Sequence, residues 1–191
     1  MIKCAIVGNI ASGKSEVERI LEKLGYVVFD TDLMTHDILT DNPEVAKAFS
    51  DYDVFEYGRL SRDKLGRLVF SEPELKLRLE NIVHPLISSE IDQIFKTYSS
   101  EPVVFISVPL LFEVGWEKMF DKIVFINTDD DIRIERLISR NGYDREYALT
   151  RIKSQSPQSE KIEKSDIVIT NNGTKTQLAE QIEQMLKTLF V

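Results

Sequence analysis

Five short apolar runs, rich in β-branched residues, punctuate the chain: IKCAIV (2–7), YVVFD (26–30), PVVFISV (102–108), KIVFIN (122–127) and DIVIT (166–170). Each is strand-length and lacks polar alternation, the pattern of a strand buried on both faces. Between the runs, apolar residues recur every three or four positions. SEVERILEKLG places Val17, Ile20, Leu21 and Leu24 on one helical face and ends at Gly25, an expected C-terminal cap. Strands alternating with helices predict an α/β fold: a five-stranded parallel sheet between two helical layers.

The interval from 33 to 99 departs from this rhythm. DLMTHDIL, SRDKLGRLVF, EPELKLRLENIVH and PLISSEIDQIFKTY all carry helical period, and no run there reads as a strand. Ser61 and Ser71 are expected N-caps, and Pro85 is expected to begin a helix. This is too much helix for one crossover, so an inserted helical lobe over 33–99 is predicted, a feature that in such folds usually carries a second substrate.

The first run opens directly onto GNIASGKS, residues 8–15, which satisfies G-x-x-x-x-G-K-[ST] with a strand before it and a helix after it. Gly8 and Gly13 permit backbone angles and close approach that a Cβ would block. Successive amides of Asn9, Ile10, Ala11, Ser12 and Gly13 can then turn toward phosphate oxygens. The helix start adds its positive dipole end. Lys14 is the expected partner of the β and γ phosphates, and Ser15 supplies a hydroxyl ligand for Mg²⁺. A strand-to-helix turn with a solvated lysine is the alternative, but with glycine at about 7% of residues a chance match has odds below roughly one in a hundred. A nucleoside triphosphate is the expected ligand.

No Asn-Lys-x-Asp guanine reader is present, and the single D-x-x-G, Asp63 to Gly66, falls in a helical pattern. PVVFISV runs into Pro109 without an acidic residue, so the metal's carboxylate must come from elsewhere. FDTD supplies candidates at the end of the second strand, where ligand crevices open in α/β sheets. Asp30 reads equally as a helix cap or a functional group. Asp32 is the expected base, placed to orient an acceptor hydroxyl and take its proton, and also a carboxylate able to hold magnesium through water.

In DIRIERLISR, Arg133, Arg136 and Arg140 share one helix face, opposite Ile134, Leu137 and Ile138. A solvated basic face is the plain alternative. The position after the fourth strand, and the NGYD turn that follows, suit a lid that closes over phosphates and excludes water. Guanidinium groups match the charge spread of a transferring phosphoryl. Arg140, beside the hinge, is the first candidate and Arg136 the second. One kinase domain is therefore expected, with core 1–32, 100–134 and 155–191, lobe 33–99 and lid 135–154.

Bulk properties narrow the picture. The 191 residues fit one domain with a sizeable core, and 24 basic against 32 acidic residues leave a net charge of −8. That balance argues against sequence-independent nucleic-acid binding, though not against a local cationic pocket. The single cysteine, Cys4, lies in an apolar run and is expected to be a buried small hydrophobe. No signal-peptide pattern or membrane-length apolar run is visible, so a cytoplasmic setting, with neither membrane nor nucleic-acid partner, is expected. A monomer or weak homo-oligomer is the expected state.

With these residues in place, the chain resembles the dephospho-coenzyme A kinase family over nearly its full length. The resemblance rests on GNIASGKS, DTDLMTHDIL, LSRDKLGRLVF, NIVHPLI, VPLLFE, RLISRNGYDREYALTRIKSQ and DIVITNNG. The phosphate loop is generic; the ordered Asp-x-Asp-x-x-x-His, Leu-x-Arg-x-x-Leu, His-Pro and Val-Pro-Leu-Leu-x-Glu set is specific. The resemblance implies a P-loop nucleoside-kinase-like core and transfer of the ATP γ-phosphoryl to the ribose 3′-hydroxyl of dephospho-CoA. It implies that Asp32, His36, Arg62 and His84 line the acceptor side, and that Asn171, Asn172 and Gly173 lie by the adenine. The more acidic passage TDNPEVAKAFSDYDVFEYGRL departs from the family's glycine-rich one. A kinase for a nucleoside monophosphate or another small alcohol, and a non-catalytic ATP-binding module, are the alternatives.

Overall fold

A computed structural model of the chain describes residues 1–190. In chain order the elements are β1 (Ile2–Val7), α1 (Lys14–Lys23), β2 (Val27–Asp30), α2 (Thr31–Asp41), α3 (Pro43–Ala48), β3 (Phe55–Glu56), β4 (Arg59–Leu60), α4 (Arg62–Ser71) and α5 (Pro73–Thr97). They continue with β5 (Val103–Ser107), α6 (Leu111–Val114), β6 (Lys122–Asn127), α7 (Asp130–Asn141), α8 (Arg145–Lys153), α9 (Gln158–Glu163), β7 (Ile167–Thr170) and α10 (Lys175–Leu189). Two compact units emerge: Met1–Phe29 with the chain from Ser100 onward, and Asp30–Ser99.

The first unit is built on a five-stranded sheet in the order β2-β5-β1-β6-β7. β1 pairs in parallel with β5 and β6, and β6 with β7. Residues paired across parallel strands point to the same face, so the register assembles one apolar layer from Cys4, Ile6, Phe105, Val124, Ile126 and Ile169. Val17 and Leu21 of α1 and Leu178, Ile182 and Met185 of α10 close over it. The alternate residues Ala5, Val7, Val104, Ile106 and Phe125 are equally buried, which is why these strands read as continuous apolar runs. α1 ends as expected: Gly25 adopts φ 88°, its amide donates to Glu22 O and that of Tyr26 to Leu21 O, a Schellman motif.

β2 differs from its expected full burial. It lies at the sheet edge and every residue in it is only half-buried. Apolar composition alone does not distinguish an edge strand from a central one.

The second unit is mainly helical, with α2, α3 and α4 all contacting the long α5. It also holds an antiparallel pair that the patterning does not reveal: β3 and β4, joined through Tyr57 (φ 51°) and Gly58 (φ 79°). Two positive φ angles suit a tight hairpin, and two-residue strands are too short to show period. Two helix boundaries also move. Ser71 is the last residue of α4, and α5 starts after Glu72 with Pro73 at its first position. Pro85 lies inside α5 rather than at its start. Proline removes the bond to the carbonyl four residues back, but Asn81 is exposed and water can take that role. Ser61 does occupy the N-cap of α4, without a side-chain capping bond.

Candidate nucleotide-binding site

The loop 8–15 leaves the carboxyl end of β1, the central strand, and runs into α1. Gly8 is required by space: a Cβ there would lie 2.5 Å from Ser12 Oγ and 3.1 Å from Ile126 O. Gly13 is required by conformation and space, with φ +95° and a notional Cβ 2.2 Å from Asn171 Nδ2. Ala11 also takes a left-handed angle, φ 61°, which is unfavourable for a residue with a Cβ.

The loop's carbonyls are drawn outward by named donors. Gly8 O accepts from Lys14 Nζ at 2.6 Å, and Ile10 O from Arg133 Nε at 2.9 Å. Arg136 Nη1 donates to Ala11 O at 3.2 Å and to Ser12 O at 3.1 Å. Ser12 O also accepts from Thr128 Oγ1 at 2.9 Å and Asn171 Nδ2 at 2.8 Å. In a trans peptide the C=O and the following N–H point opposite ways. Fixing the carbonyls of Ile10 and Ser12 therefore turns the amides of Ala11 and Gly13 away from those donors, while Ser12 N bonds Asn9 O and Ile10 N bonds Gln155 Oε1. α1 adds the positive end of its dipole, the site at which anions bind a helix.

Arg133 and Arg136 do not belong to a solvated basic face. Arg133 is 1% exposed and its Nη1 reaches Asp130 Oδ1 at 2.8 Å. Arg136 is half-buried, and its Nη2 donates to Asn171 O at 2.8 Å. Burial pushes the pKa of both guanidinium groups down. Arg140 is exposed, bonding only its neighbour Asn141. Beyond it Gly142 (φ 68°) stops α7, and Asp144 caps α8 by accepting from Tyr147 N, so the NGYD turn has a defined local structure. Ile134, Leu137, Ala148 and Ile152 of α7 and α8 form a small core against which Ile10 and Ala11 pack.

A cavity of about 430 Å³ opens beside the loop, with Gly13, Arg136, Arg140, Asn171, Gly173 and Lys175 in its wall. Glu16 also borders it, and its pairing with Arg19, helped by Lys175 Nζ at 3.6 Å, holds its carboxyl below the usual range. Among the expected nucleotide-side residues, Ala11, Gly13, Arg136, Arg140, Asn171 and Gly173 therefore share one hollow, while Gly8, Asn9, Ile10, Ser12, Lys14 and Ser15 lie outside its wall. Asn172 instead accepts from Asp129 N through Oδ1, tying the loop after β7 to the start of α7.

In the second unit, Asp30 Oδ1 accepts from Asp32 N at 2.9 Å, the N-cap of α2. That resolves Asp30 as a helix cap. Asp32 is exposed in the first turn, and His36 is exposed one turn on, with Nδ1 3.3 Å from Asp37 Oδ1. At i and i+4, Asp32 and His36 share a face of α2. Arg62 is exposed at the first position of α4, and His84 is half-buried within α5.

The described residues contain no group of three or more His, Cys, Asp and Glu side chains able to hold a metal ion. Ser15 is exposed in the first turn of α1. Such a donor set fits magnesium that keeps most of its ligands as water and phosphate oxygen. Glu113 is occupied otherwise, accepting from Lys161 Nζ at 2.6 Å. Thr128, Gln155 and Gln158, which no spacing rule marks, prove to contact the loop or its supports. No described helix is long and apolar enough to cross a membrane.

A glycine loop with outward-turned carbonyls, between the central parallel strand and its helix, defines a P-loop nucleotide-binding protein. Residues 2–177 match the family model described as dephospho-CoA kinase. The chain belongs to the dephospho-CoA kinase family. A dephospho-CoA kinase of Carboxydothermus hydrogenoformans is 37% identical over 188 residues, spanning 95% of this chain and 91% of that protein. Among solved structures, TT1252 from Thermus thermophilus superposes with a TM-score of 0.83 at 35% identity, covering 98% of this chain and 97% of that one. Dephospho-CoA kinase from Campylobacter jejuni gives 0.77 at 28% identity, covering 98% and 96%.

Proposed function

We propose that the chain transfers the γ-phosphoryl group of ATP to the ribose 3′-hydroxyl of dephospho-CoA, giving coenzyme A and ADP, with residues 33–99 as acceptor lobe and 135–154 as lid. The observation that supports it most is the loop whose carbonyls at 10, 11 and 12 are held by side chains from outside it, in a chain of this family. Lys14 and the loop amides not already bonded within the protein, which excludes those of Ile10 and Ser12, bind the β and γ phosphates. Asn171 and Gly173 flank the base, with Asn172 securing their loop.

In the transfer, the acceptor oxygen forms a bond to Pγ as the bond from Pγ to the β,γ-bridging oxygen breaks and ADP departs. Asp32 orients the hydroxyl and accepts its proton. Arg140 balances charge developing on the phosphoryl oxygens, and is free of competing carbonyl bonds. Arg136 acts differently: with Nη1 and Nη2 committed to carbonyls, it holds the loop and the strand-end residue Asn171 in register. Arg62 grips an anionic group of the acceptor, and His36 and His84 complete its contacts. Magnesium, for which Ser15 and Asp32 are the proposed ligands, supplies neutralising charge on the phosphates. A reducing cytoplasm suits a chain with one buried thiol.

Purified protein given Mg-ATP with dephospho-CoA, and separately with nucleoside monophosphates, tests the reading. Phosphorylation of dephospho-CoA at the 3′-hydroxyl is the expected result. Transfer to a monophosphate alone would replace the acceptor assignment, and ATP binding with no transfer would replace catalysis with sensing.

A further inference from the structure

The backbone conformation of the phosphate loop is not fully encoded within the loop. Ala11 sits at φ 61°, an angle that glycine adopts freely and alanine does not. Strained angles of this kind persist where surrounding contacts over-determine them. The peptide groups entering this residue are gripped on both sides: Ile10 N donates to Gln155 Oε1 at 2.7 Å, and Ile10 O accepts from Arg133 Nε at 2.9 Å. One residue earlier, Asn9 Nδ2 donates to Ser156 O at 2.9 Å. Asn9 is 2% exposed, whereas its acceptor residue Ser156 lies at the surface.

Gln155 and Ser156 lie in the link between α8 and α9, just after the segment assigned as lid. That link is itself anchored to the end of β6. Gln158 Nε2 donates to Thr128 O at 2.8 Å while its Oε1 accepts from Thr128 N at 3.2 Å, and Thr128 Oγ1 in turn donates to Ser12 O. α8 reaches the loop by packing as well, since Ala148 and Ile152 belong to the small core touched by Ile10 and Ala11.

We infer that Gln155 is a positioning residue that, with Asn9 bound to Ser156, latches the α8–α9 link onto the phosphate loop and imposes the left-handed turn at Ala11 on which triphosphate binding depends. The amide of Ile10 is consumed in this latch and does not contact phosphate. The link after α8 thereby joins the bonds from Arg133 and Arg136 in fixing the loop, with the Gln155 bond the one that takes the Ile10 amide. The inference rests on the ATP-binding reading above, but not on the identity of the acceptor.

The test measures ATP affinity directly by titration calorimetry, with KM for ATP and for the acceptor alongside. Gln155→Ala is expected to weaken ATP binding about tenfold, the scale of one lost hydrogen bond. KM for dephospho-CoA and the thermal midpoint should stay near those of the parent protein. Gln155→Glu, which keeps an acceptor for Ile10 N, should recover most of the loss. Ala11→Gly placed in the Gln155→Ala background should also restore binding, because glycine reaches the left-handed angle unaided. A purely structural role predicts a lower active fraction with unchanged ATP affinity and no rescue by Ala11→Gly, and either result overturns the latch. A parent protein that binds no ATP sinks both readings, whereas equal affinity in parent and Gln155→Ala sinks only this one.

Discussion

Lys161 is 2% exposed, and its ammonium donates to Glu113 Oε1 at 2.6 Å, joining α9 to the short α6 that follows VPLL. A buried ammonium without a partner is costly, and the pair spans 48 residues of sequence. Glu113→Ala should therefore destabilise the fold by about 3 kcal/mol, while Lys161→Met with Glu113→Leu should cost much less. Denaturant unfolding of the two variants measures the difference. A double variant as unstable as the single one would show that packing, not the stranded charge, is responsible.

Gly13→Ala meets two penalties at once. The left-handed angle costs an alanine about 1–2 kcal/mol, and the new Cβ would fall 2.2 Å from Asn171 Nδ2. Displacing Asn171 breaks its bond to Ser12 O, so ATP affinity should fall together with stability. Calorimetry and thermal melting, done in parallel, should both register the change.

Arg136 and Arg140 of α7 should separate cleanly. Arg140 is exposed, so Arg140→Ala is expected to lower kcat about 1000-fold, the low end for a guanidinium that meets transition-state charge, with little change in melting. Arg136→Ala removes donors from three carbonyls and should cost about 2 kcal/mol of stability. Asp32→Asn should reduce kcat by roughly 100- to 10,000-fold while ATP binding persists. Lys14→Ala should instead weaken ATP binding by about 10- to 100-fold. An Asp32→Asn protein with full turnover would remove the base assignment.

Burial pushes the Cys4 thiol well above its ordinary pKa, with Asp166 and Asp121 adding to the effect. The folded thiol therefore stays protonated in alkali while the unfolded one ionises. Its contribution to stability is constant below about pH 8.5 and declines above it by about 1.4 kcal/mol per pH unit. Chemical unfolding from pH 7 to 10 should show that decline, and Cys4→Ala should flatten it. A thiol reagent should leave the native protein unmodified.

Local chemistry carried much of this protein in its sequence. The five apolar runs are all strands of one sheet, and the glycine loop between IKCAIV and α1 is legible because its φ angles and close approach admit few residue types. The order of Asp-x-Asp-x-x-x-His, Leu-x-Arg-x-x-Leu, His-Pro and Val-Pro-Leu-Leu-x-Glu pointed to the family. Depth within the sheet was not legible: YVVFD reads like the central strands, yet β2 lies at the edge, because neighbours rather than composition set a strand's burial. The β3–β4 hairpin escaped because its strands are too short for periodicity, and the uninterrupted α5 because Asn81, whose bond Pro85 removes, lies at the surface.

Only the tertiary structure assigned each polar residue its partner. Arg133, Arg136 and Arg140 are equivalent in a helical pattern, but depth in the fold makes the first two supports of loop carbonyls and leaves the third exposed. Asp30 and Asp32 are likewise alike in FDTD until the cap bond separates them. Gln155 has no signature at all, because a hydrogen bond between residues 145 positions apart leaves no periodicity in the chain. Sequence determines what backbone and side chains can do over a few residues; which of those capacities is used depends on the neighbours that folding brings within bonding distance.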